Sequence, residues 1–136
     1  MAEPIVTLQP LRFCDTDMLG HVNNAVYAAM FEAGRVEMLA PLGLLSGPRA
    51  VVIARLEIDF LREMNWPGTA RIETAIARIG AKSIHVRQRL TVEGEETARG
   101  RSVLAIIDVA TRRAVPIHDD WRALLARWHL PDDSAA

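Results

Sequence analysis

The side chains best suited to chemistry lie together in one short polar segment. Asp15, Asp17, His21, Asn23 and Asn24 directly precede an apolar run that is predicted to be a helix. A carboxylate can attack a carbonyl carbon or take a proton from water, and an imidazole can transfer protons. A helix N-terminus adds unpaired N–H groups and a partial positive charge, which can stabilise an oxyanion. The segment therefore predicts a site for chemistry on a carbonyl group.

Each of these residues also has a structural alternative. Asp15 and Asp17 suit the helix dipole and the turn before it, and for Asp15 this alternative is favoured. His21 in a polar loop is often a structural hydrogen-bond donor. Asn23 or Asn24 is a good N-cap, because its side-chain oxygen can accept from the first helical N–H groups. A capping role and a catalytic role are compatible at these two positions.

Two other chemistries are weaker hypotheses. Cys14 is next to Asp15, but it is predicted at the end of an apolar strand, which is a poor place for a reactive thiolate. Asp15, Asp17 and His21 could ligate a metal, but no further His or Cys cluster supports a site, so no metal is predicted. Gly20 would allow a tight turn or the close approach of a ligand.

A single long helix is expected to hold this segment in place. It begins at Asn23 or Asn24, ends at about Leu39, and is followed by Pro41 and Gly43. Because few of its residues are charged, it is expected to be buried on most sides. The apolar residues at helical spacing are Val26, Ala29, Met30, Ala33, Val36 and Ala40.

The remaining elements are mainly strands. Residues 3–13 are predicted to be a strand, with Pro10 at an edge or bulge. After Pro48 apolar and polar residues alternate, which predicts antiparallel strands over about 51–60, 70–77, 84–93 and 97–109. A short helix is expected over 119–128. The fold class is therefore α+β, with a curved sheet around one helix. Two copies joined edge to edge or face to face would cover the exposed sheet, so a homo-oligomer is expected.

Composition narrows the class of protein. The chain has 136 residues, 16 basic against 17 acidic, and one cysteine. We expect one domain over 1–131 and a disordered tail over 132–136. The net charge of −1 argues against nucleic acid as a partner. No signal peptide or membrane-spanning stretch is visible, so a cytoplasmic protein without a membrane partner is expected.

The segment 15–27, followed by Phe31-Glu32-Ala33-Gly34-Arg35, resembles the signature of the hotdog-fold acyl-CoA thioesterases. The branch is that of the 4-hydroxybenzoyl-CoA thioesterase-like proteins. The resemblance implies a hotdog fold, in which about five antiparallel strands form a curved sheet around a long central helix. It also implies hydrolysis of acyl-CoA or acyl-carrier-protein thioesters without a cofactor. Homodimers or homotetramers are implied, with the active site at the subunit interface.

The resemblance also implies roles for single residues. Asp17 takes the position of the catalytic carboxylate, as nucleophile or general base. Backbone N–H groups near Val22 to Asn24 take the position of the site that binds the thioester carbonyl. His21 and the Asn23-Asn24 pair would orient water or the carbonyl. The residues expected on the substrate side are Gly20, Val22, Tyr27, Lys82 and Ser83, the last two near the nucleotide of CoA.

Some alternatives stay open at this stage. Gly80 and Ala81 depart from the arginine-rich turn of the aryl-CoA enzyme, which would suit a carrier-protein thioester. A non-catalytic acyl-CoA-binding module and a hotdog hydratase or dehydratase are the rival functions. The acyl group is not readable from the sequence. Its pocket could be lined by Met30, Phe31, Met38, Phe60 and Trp66, although each suits the core better.

Overall fold

The computed structural model describes residues 2–44 and 47–131, so the expected tail lies outside the described residues. Strand β1 is Ile5–Pro10, helix α1 is Asn24–Leu39, and the other elements are β2 (Arg49–Phe60), β3 (Thr69–Ile79), β4 (Ser83–Val92), β5 (Glu95–Asp108) and α2 (Asp119–Leu125). Short 3₁₀ turns cover Phe13–Asp15, Ala40–Leu42 and Ala126–Trp128. None of the described helices is long and apolar enough to cross a membrane.

The five strands form one antiparallel sheet in the order β1-β3-β4-β5-β2. The pairing register shifts once in each of three strand pairs: at Ile53/Arg55 in β2, at Ile76/Arg78 in β3 and at Leu90/Thr91 in β4. Such bulges bend a strand and increase its twist. The α+β architecture predicted from the alternation pattern is therefore confirmed, with β1 and β2 at the sheet edges.

The first strand is shorter than predicted. It ends at Pro10, which has no N–H to donate to a further ladder bond. The chain then forms the 3₁₀ turn Phe13–Asp15, in which Phe13 and Cys14 are exposed. The prediction that Cys14 closes an apolar strand is wrong, because the strand stops before it.

The helix has the predicted length, but one of its faces stays open. Asn23 is its N-cap, and the Asn23 side-chain oxygen accepts from the Ala25 N–H at 2.8 Å. The residues buried in α1 are Tyr27, Met30, Phe31, Gly34, Arg35, Met38 and Leu39. Of the predicted apolar stripe, only Met30 is buried, while Ala29, Val36 and Ala40 are not. The expectation of burial on most sides is wrong for one chain, because its sheet covers one side of the helix.

The core has two clusters, one near each end of α1. The cluster at the helix start contains Val22, Tyr27, Phe31, Met64 and Leu90, and the cluster at the helix end contains Met38, Leu39, Ile76 and Ile84. Among the candidate pocket walls, Met30, Phe31 and Met38 are fully buried core residues. Phe60 and Trp66 are instead 49% and 47% exposed.

A polar contact between α1 and the sheet separates these clusters. The Gln88 side-chain N–H donates to the Phe31 carbonyl at 2.8 Å and to the Thr74 hydroxyl at 3.0 Å, while its oxygen accepts from Arg35. Gly34 lies against this contact, since a Cβ added there would be 2.5 Å from the Thr74 hydroxyl. The contact therefore fixes how closely the helix approaches the sheet.

Candidate active site

Residues 16–22 form a tight hairpin directly before α1. Thr16 pairs with Val22 in an isolated bridge, and the Asp17 N–H donates to the His21 carbonyl at 2.8 Å. The Gly20 N–H closes the turn by donating to the Asp17 carbonyl at 3.1 Å. Gly20 has a φ of 83°, a conformation that favours glycine. The predicted role of Gly20 in a tight turn is confirmed.

The hairpin fixes one carboxylate oxygen of Asp17. Oδ1 accepts from the Leu19 N–H at 2.9 Å and lies 3.4 Å from the His21 backbone nitrogen. Within the described residues, Oδ2 makes no hydrogen bond, and the side chain is exposed. Asp17 therefore presents an oriented carboxylate with one oxygen available to a reacting group.

Asp15 has a structural environment instead. Its side chain is only 2% exposed, and it accepts from the Arg12 guanidinium at 2.7 Å and from the Arg12 backbone N–H at 2.9 Å. The side-chain hydrogen bond from Arg12 is the main reason that the pKa of Asp15 is lowered. The structural alternative favoured for Asp15 agrees with this geometry. Among residues 2–44 and 47–131, no three His, Cys, Asp or Glu side chains form a group that could hold a metal.

The backbone N–H groups before α1 are not equally available. The Val22 N–H donates to the Met64 carbonyl at 2.8 Å, and the Asn23 N–H donates to the Asp15 carbonyl at 2.8 Å. Neither can also be the main donor to a substrate. The Asn24 N–H makes no hydrogen bond in the described part of the chain. Of the backbone N–H groups expected to bind the thioester carbonyl, from Val22 to Asn24, only that of Asn24 is therefore unbonded in the described part of the chain.

The connection between β2 and β3 lies against the hairpin, and no motif in the sequence indicated this contact. His21 pairs with Asn65 in a second isolated bridge, next to the Val22–Met64 hydrogen bond. The His21 ring Nε2 lies 2.9 Å from a carboxylate oxygen of Glu63. Glu63 follows Arg62 in a charged stretch without a motif, so its contact with His21 appears only in three dimensions.

Tyr27 belongs to the wall of this connection. It is buried, its hydroxyl donates to the Arg62 carbonyl at 3.1 Å, and its ring packs edge-on against Phe60 with 5.0 Å between centroids. Burial raises the pKa of the Tyr27 hydroxyl, and the nearby charge of Glu63 adds to this effect. The structure thus gives Tyr27 a packing role, with its hydroxyl already bonded.

Lys82 and Ser83 are not brought to this site within one chain. They lie at the turn before β4, and the Ser83 hydroxyl contacts His85 Nε2 at 3.1 Å. Leu90 of β4 belongs to the same core cluster as Val22, which precedes α1. Leu90 lies seven positions after Ser83 along β4, which is about 23 Å at the usual rise.

Several exposed apolar side chains surround the hairpin, and the sequence reasoning missed most of them. Met18 and Leu19 form the tip of the turn and are highly exposed. Phe13 packs edge-on against Trp66 with 5.5 Å between ring centroids, and both remain exposed. Exposed apolar groups beside a polar site suit an apolar ligand or a second chain.

Comparisons with known proteins agree with this arrangement. A family model described as the thioesterase-like superfamily matches residues 11–126. The structure of a predicted thioesterase from Bacillus stearothermophilus is 33% identical, covering 95% of this chain and 98% of that one, with a TM-score of 0.88. A thioesterase from Thermus thermophilus, complexed with coenzyme A and Zn, is 29% identical, covering 96% and 98%, with a TM-score of 0.85.

A further relative also matches most of this chain. It is the uncharacterized protein YsmA of Bacillus subtilis (strain 168), which is 27% identical over 118 residues, or 85% of this chain and 80% of that protein. The family match, the five-stranded sheet on one long helix and the thioesterase neighbours lead to the same conclusion. This chain belongs to the thioesterase-like superfamily, and it is a thioester hydrolase of the hotdog fold.

Proposed function

We propose that this enzyme hydrolyses acyl-CoA or acyl-carrier-protein thioesters at Asp17. The observation that carries the proposal is the state of the Asp17 carboxylate. Its Oδ1 is held by the Leu19 N–H of its own turn, while Oδ2 makes no hydrogen bond within the described residues. The unbonded Asn24 N–H at the start of α1 supplies the complementary donor.

In this proposal the Asn24 N–H and the positive end of α1 polarise the thioester carbonyl. Asp17 Oδ2 then either attacks the carbonyl carbon to form an anhydride or removes a proton from an attacking water. Both routes end with a free acid and a thiol. Gly20 and Val22 act through the backbone, by shaping the turn and by anchoring it to Met64.

The other predicted residues divide between support and chemistry. Asn23 holds the first turn of α1 through its cap to Ala25. We assign the donor role to the backbone of Asn24 rather than to its side chain. His21 is a proton-transfer group beside Asp17, and Tyr27 is a packing residue.

For the substrate, we propose CoA as the first candidate thiol, because the Thermus thermophilus neighbour is a complex with coenzyme A. Lys82 and Ser83 of a second chain would contact its nucleotide. The acyl group would lie against the exposed aromatic side chains Phe60 and Trp66, since Met30 and Phe31 are enclosed in the core. A carrier-protein thioester remains the alternative thiol.

We propose a homodimer joined along β2. This strand lies at a sheet edge, pairs only with β5 among the described strands and exposes Val52, Ile53, Leu56 and Phe60. The other edge strand, β1, has 6 residues against 12 in β2 and ends in a proline. Pairing two β2 strands would also bring together the exposed faces of the two α1 helices. A homotetramer would be two such dimers.

The test is a thiol-release assay with acetyl-, hexanoyl-, palmitoyl-, benzoyl- and phenylacetyl-CoA. Asp17→Asn should lower kcat by about 100-fold or more with a modest change in KM, because an interaction made in the transition state is lost. Asp120→Asn, an exposed carboxylate on α2, is the matched control and should retain wild-type kcat. An Asp17→Asn variant with normal kcat would remove Asp17 from the chemistry.

The rival functions give different results in the same experiment. A binding module would bind acyl-CoA without releasing thiol. A hydratase or dehydratase would change the absorbance of an enoyl-CoA without releasing thiol. If the folded protein releases no thiol from any CoA ester, the assay is repeated with acyl-carrier-protein thioesters.

A further inference from the structure

Resting on the proposed hydrolysis at Asp17, we propose that Glu63 is a positioning residue that holds His21 as the proton donor to the leaving thiol. Glu63 is not part of the polar segment that resembles the family signature. It comes from the connection between β2 and β3, about 40 residues later in the chain. The assignment rests on how the hairpin and this connection are joined.

Backbone contacts join the two segments independently of the Glu63 side chain. The Val22 N–H donates to the Met64 carbonyl at 2.8 Å, and His21 pairs with Asn65. The Tyr27 hydroxyl donates to the Arg62 carbonyl at 3.1 Å. Because these contacts flank Glu63 on both sides, its backbone is placed without help from the carboxylate.

The contact between the Glu63 carboxylate and the His21 ring is therefore not needed to hold the fold. The His21 side chain is 31% exposed and that of Glu63 is 66% exposed, with 2.9 Å between Nε2 and the carboxylate oxygen. Contacts between charged groups this exposed contribute little to the stability of a fold. A precise contact that contributes so little to stability, next to an oriented carboxylate, suits a role in the reaction.

The contact with Glu63 decides which ring nitrogen of His21 is available to exchange protons. A carboxylate that accepts from Nε2 keeps a proton on that nitrogen and leaves Nδ1 as the atom that exchanges protons. The charged groups around His21 are Glu63 from the connection and Asp17 across the same turn. Arg62 of the connection is paired with Glu95 instead, at 3.7 Å.

The proton balance closes on both routes. If Asp17 attacks, the C–S bond breaks with its electron pair on sulfur, and His21 Nδ1 donates a proton to it. Water then attacks the anhydride and returns a proton to Nδ1, and the Asp17 carboxylate is released. If Asp17 activates water, it takes the water proton, sulfur takes one from Nδ1, and the Asp17 proton replaces it. The sum is thioester plus water giving acid plus thiol.

The test compares Glu63→Gln, His21→Gln and the double variant on the best substrate of the CoA panel. Each single variant should lower kcat by about 10- to 100-fold with little change in KM, and the double should match His21→Gln alone. Glu73→Gln, which breaks the exposed pair with Arg71 on β3, is the control and should retain wild-type kcat.

Two results would overturn the proposal. One is a Glu63→Gln variant with wild-type kcat. The other is a loss in the double variant equal to the product of the two single losses. Asp17→Asn is measured alongside: if it abolishes turnover while Glu63→Gln retains wild-type kcat, only the positioning role fails. If Asp17→Asn is itself active, the proposed function fails first.

Discussion

At the scale of the residue, two aspartates separated by one position have opposite environments. Asp15 is buried and bonded to Arg12, whereas Asp17 is exposed and keeps Oδ2 without a hydrogen bond in the described structure. The first suits stability and the second suits reaction. This division gives separate predictions for stability and for activity.

Replacing Asp15 tests the stability side. Asp15→Asn should lower the free energy of unfolding by about 1–3 kcal/mol near neutral pH, because a buried charge-assisted hydrogen bond is lost. The pKa of Asp15 is lowered in the fold. The advantage of wild type is therefore present above the ordinary carboxyl pKa and is lost as pH falls below about 4. Urea unfolding at several pH values measures this, with Asp17→Asn as control. An equal difference at all pH values would contradict the assignment.

Substitutions of Asn23 distinguish a capping role from a catalytic role. Asn23→Ala should cost about 1 kcal/mol of stability, because the Ala25 N–H loses its acceptor, whereas Asn23→Ser keeps one. We expect the serine variant to retain both thermal stability and kcat. Thermal unfolding and the thiol-release assay measure the two properties. A serine variant that is stable but slow would assign a direct role to the carboxamide.

Much of the residue scale was predictable. The polar segment, its tight turn at Gly20 and the capping position were evident, because each depends on neighbours in sequence. Which N–H group stays unbonded was not predictable, since the acceptor for Val22 is Met64, which approaches only when the sheet forms. Glu63 was missed for the same reason.

At the scale of the element, the contact between α1 and the sheet decides where the helix start lies. Gly34→Ala would place a Cβ 2.5 Å from the Thr74 hydroxyl and 2.8 Å from the Gln88 amide nitrogen. Overpacking of this kind costs about 1–3 kcal/mol. It should outweigh the ~1 kcal/mol that alanine gains over glycine in a helix.

The measurement is the free energy of unfolding of Gly34→Ala. The control is Ala29→Gly, the reverse exchange at a position of the same helix outside the buried face, which should lose about 1 kcal/mol through propensity alone. A Gly34→Ala variant more stable than wild type would show that the helix can rise from the sheet without cost.

The strands were predictable from alternation and the helix limits from Asn23 and Pro41. The buried face of α1 was not, because alanine and valine recur on several sides and give no single stripe. Buried Arg35 shows the difficulty: its guanidinium is enclosed beside Gln88, which a hydrophobicity pattern would exclude. Burial lowers the pKa of this guanidinium.

At the scale of the whole molecule, the two edges of the sheet differ. Ile53→Lys on β2 should convert the proposed dimer into a monomer, because a charge would be buried between paired edges. If the partner contributes Lys82 and Ser83, activity should fall when the dimer is lost. Light scattering with size-exclusion chromatography measures the mass. Leu8→Lys on β1 is the control and should leave the mass unchanged. An Ile53→Lys variant that is still a dimer would contradict the proposed interface along β2.

The hairpin and the connection after β2 are held together by backbone atoms, as in the Val22–Met64 hydrogen bond and the His21–Asn65 bridge. Main-chain bonds of this kind do not depend on which side chains the residues carry. The tip residues Met18 and Leu19 and the aromatic neighbours Phe13 and Trp66 are therefore free to change in evolution or in the laboratory. A library confined to these four positions should vary acyl preference while the geometry at Asp17 and the melting temperature stay constant.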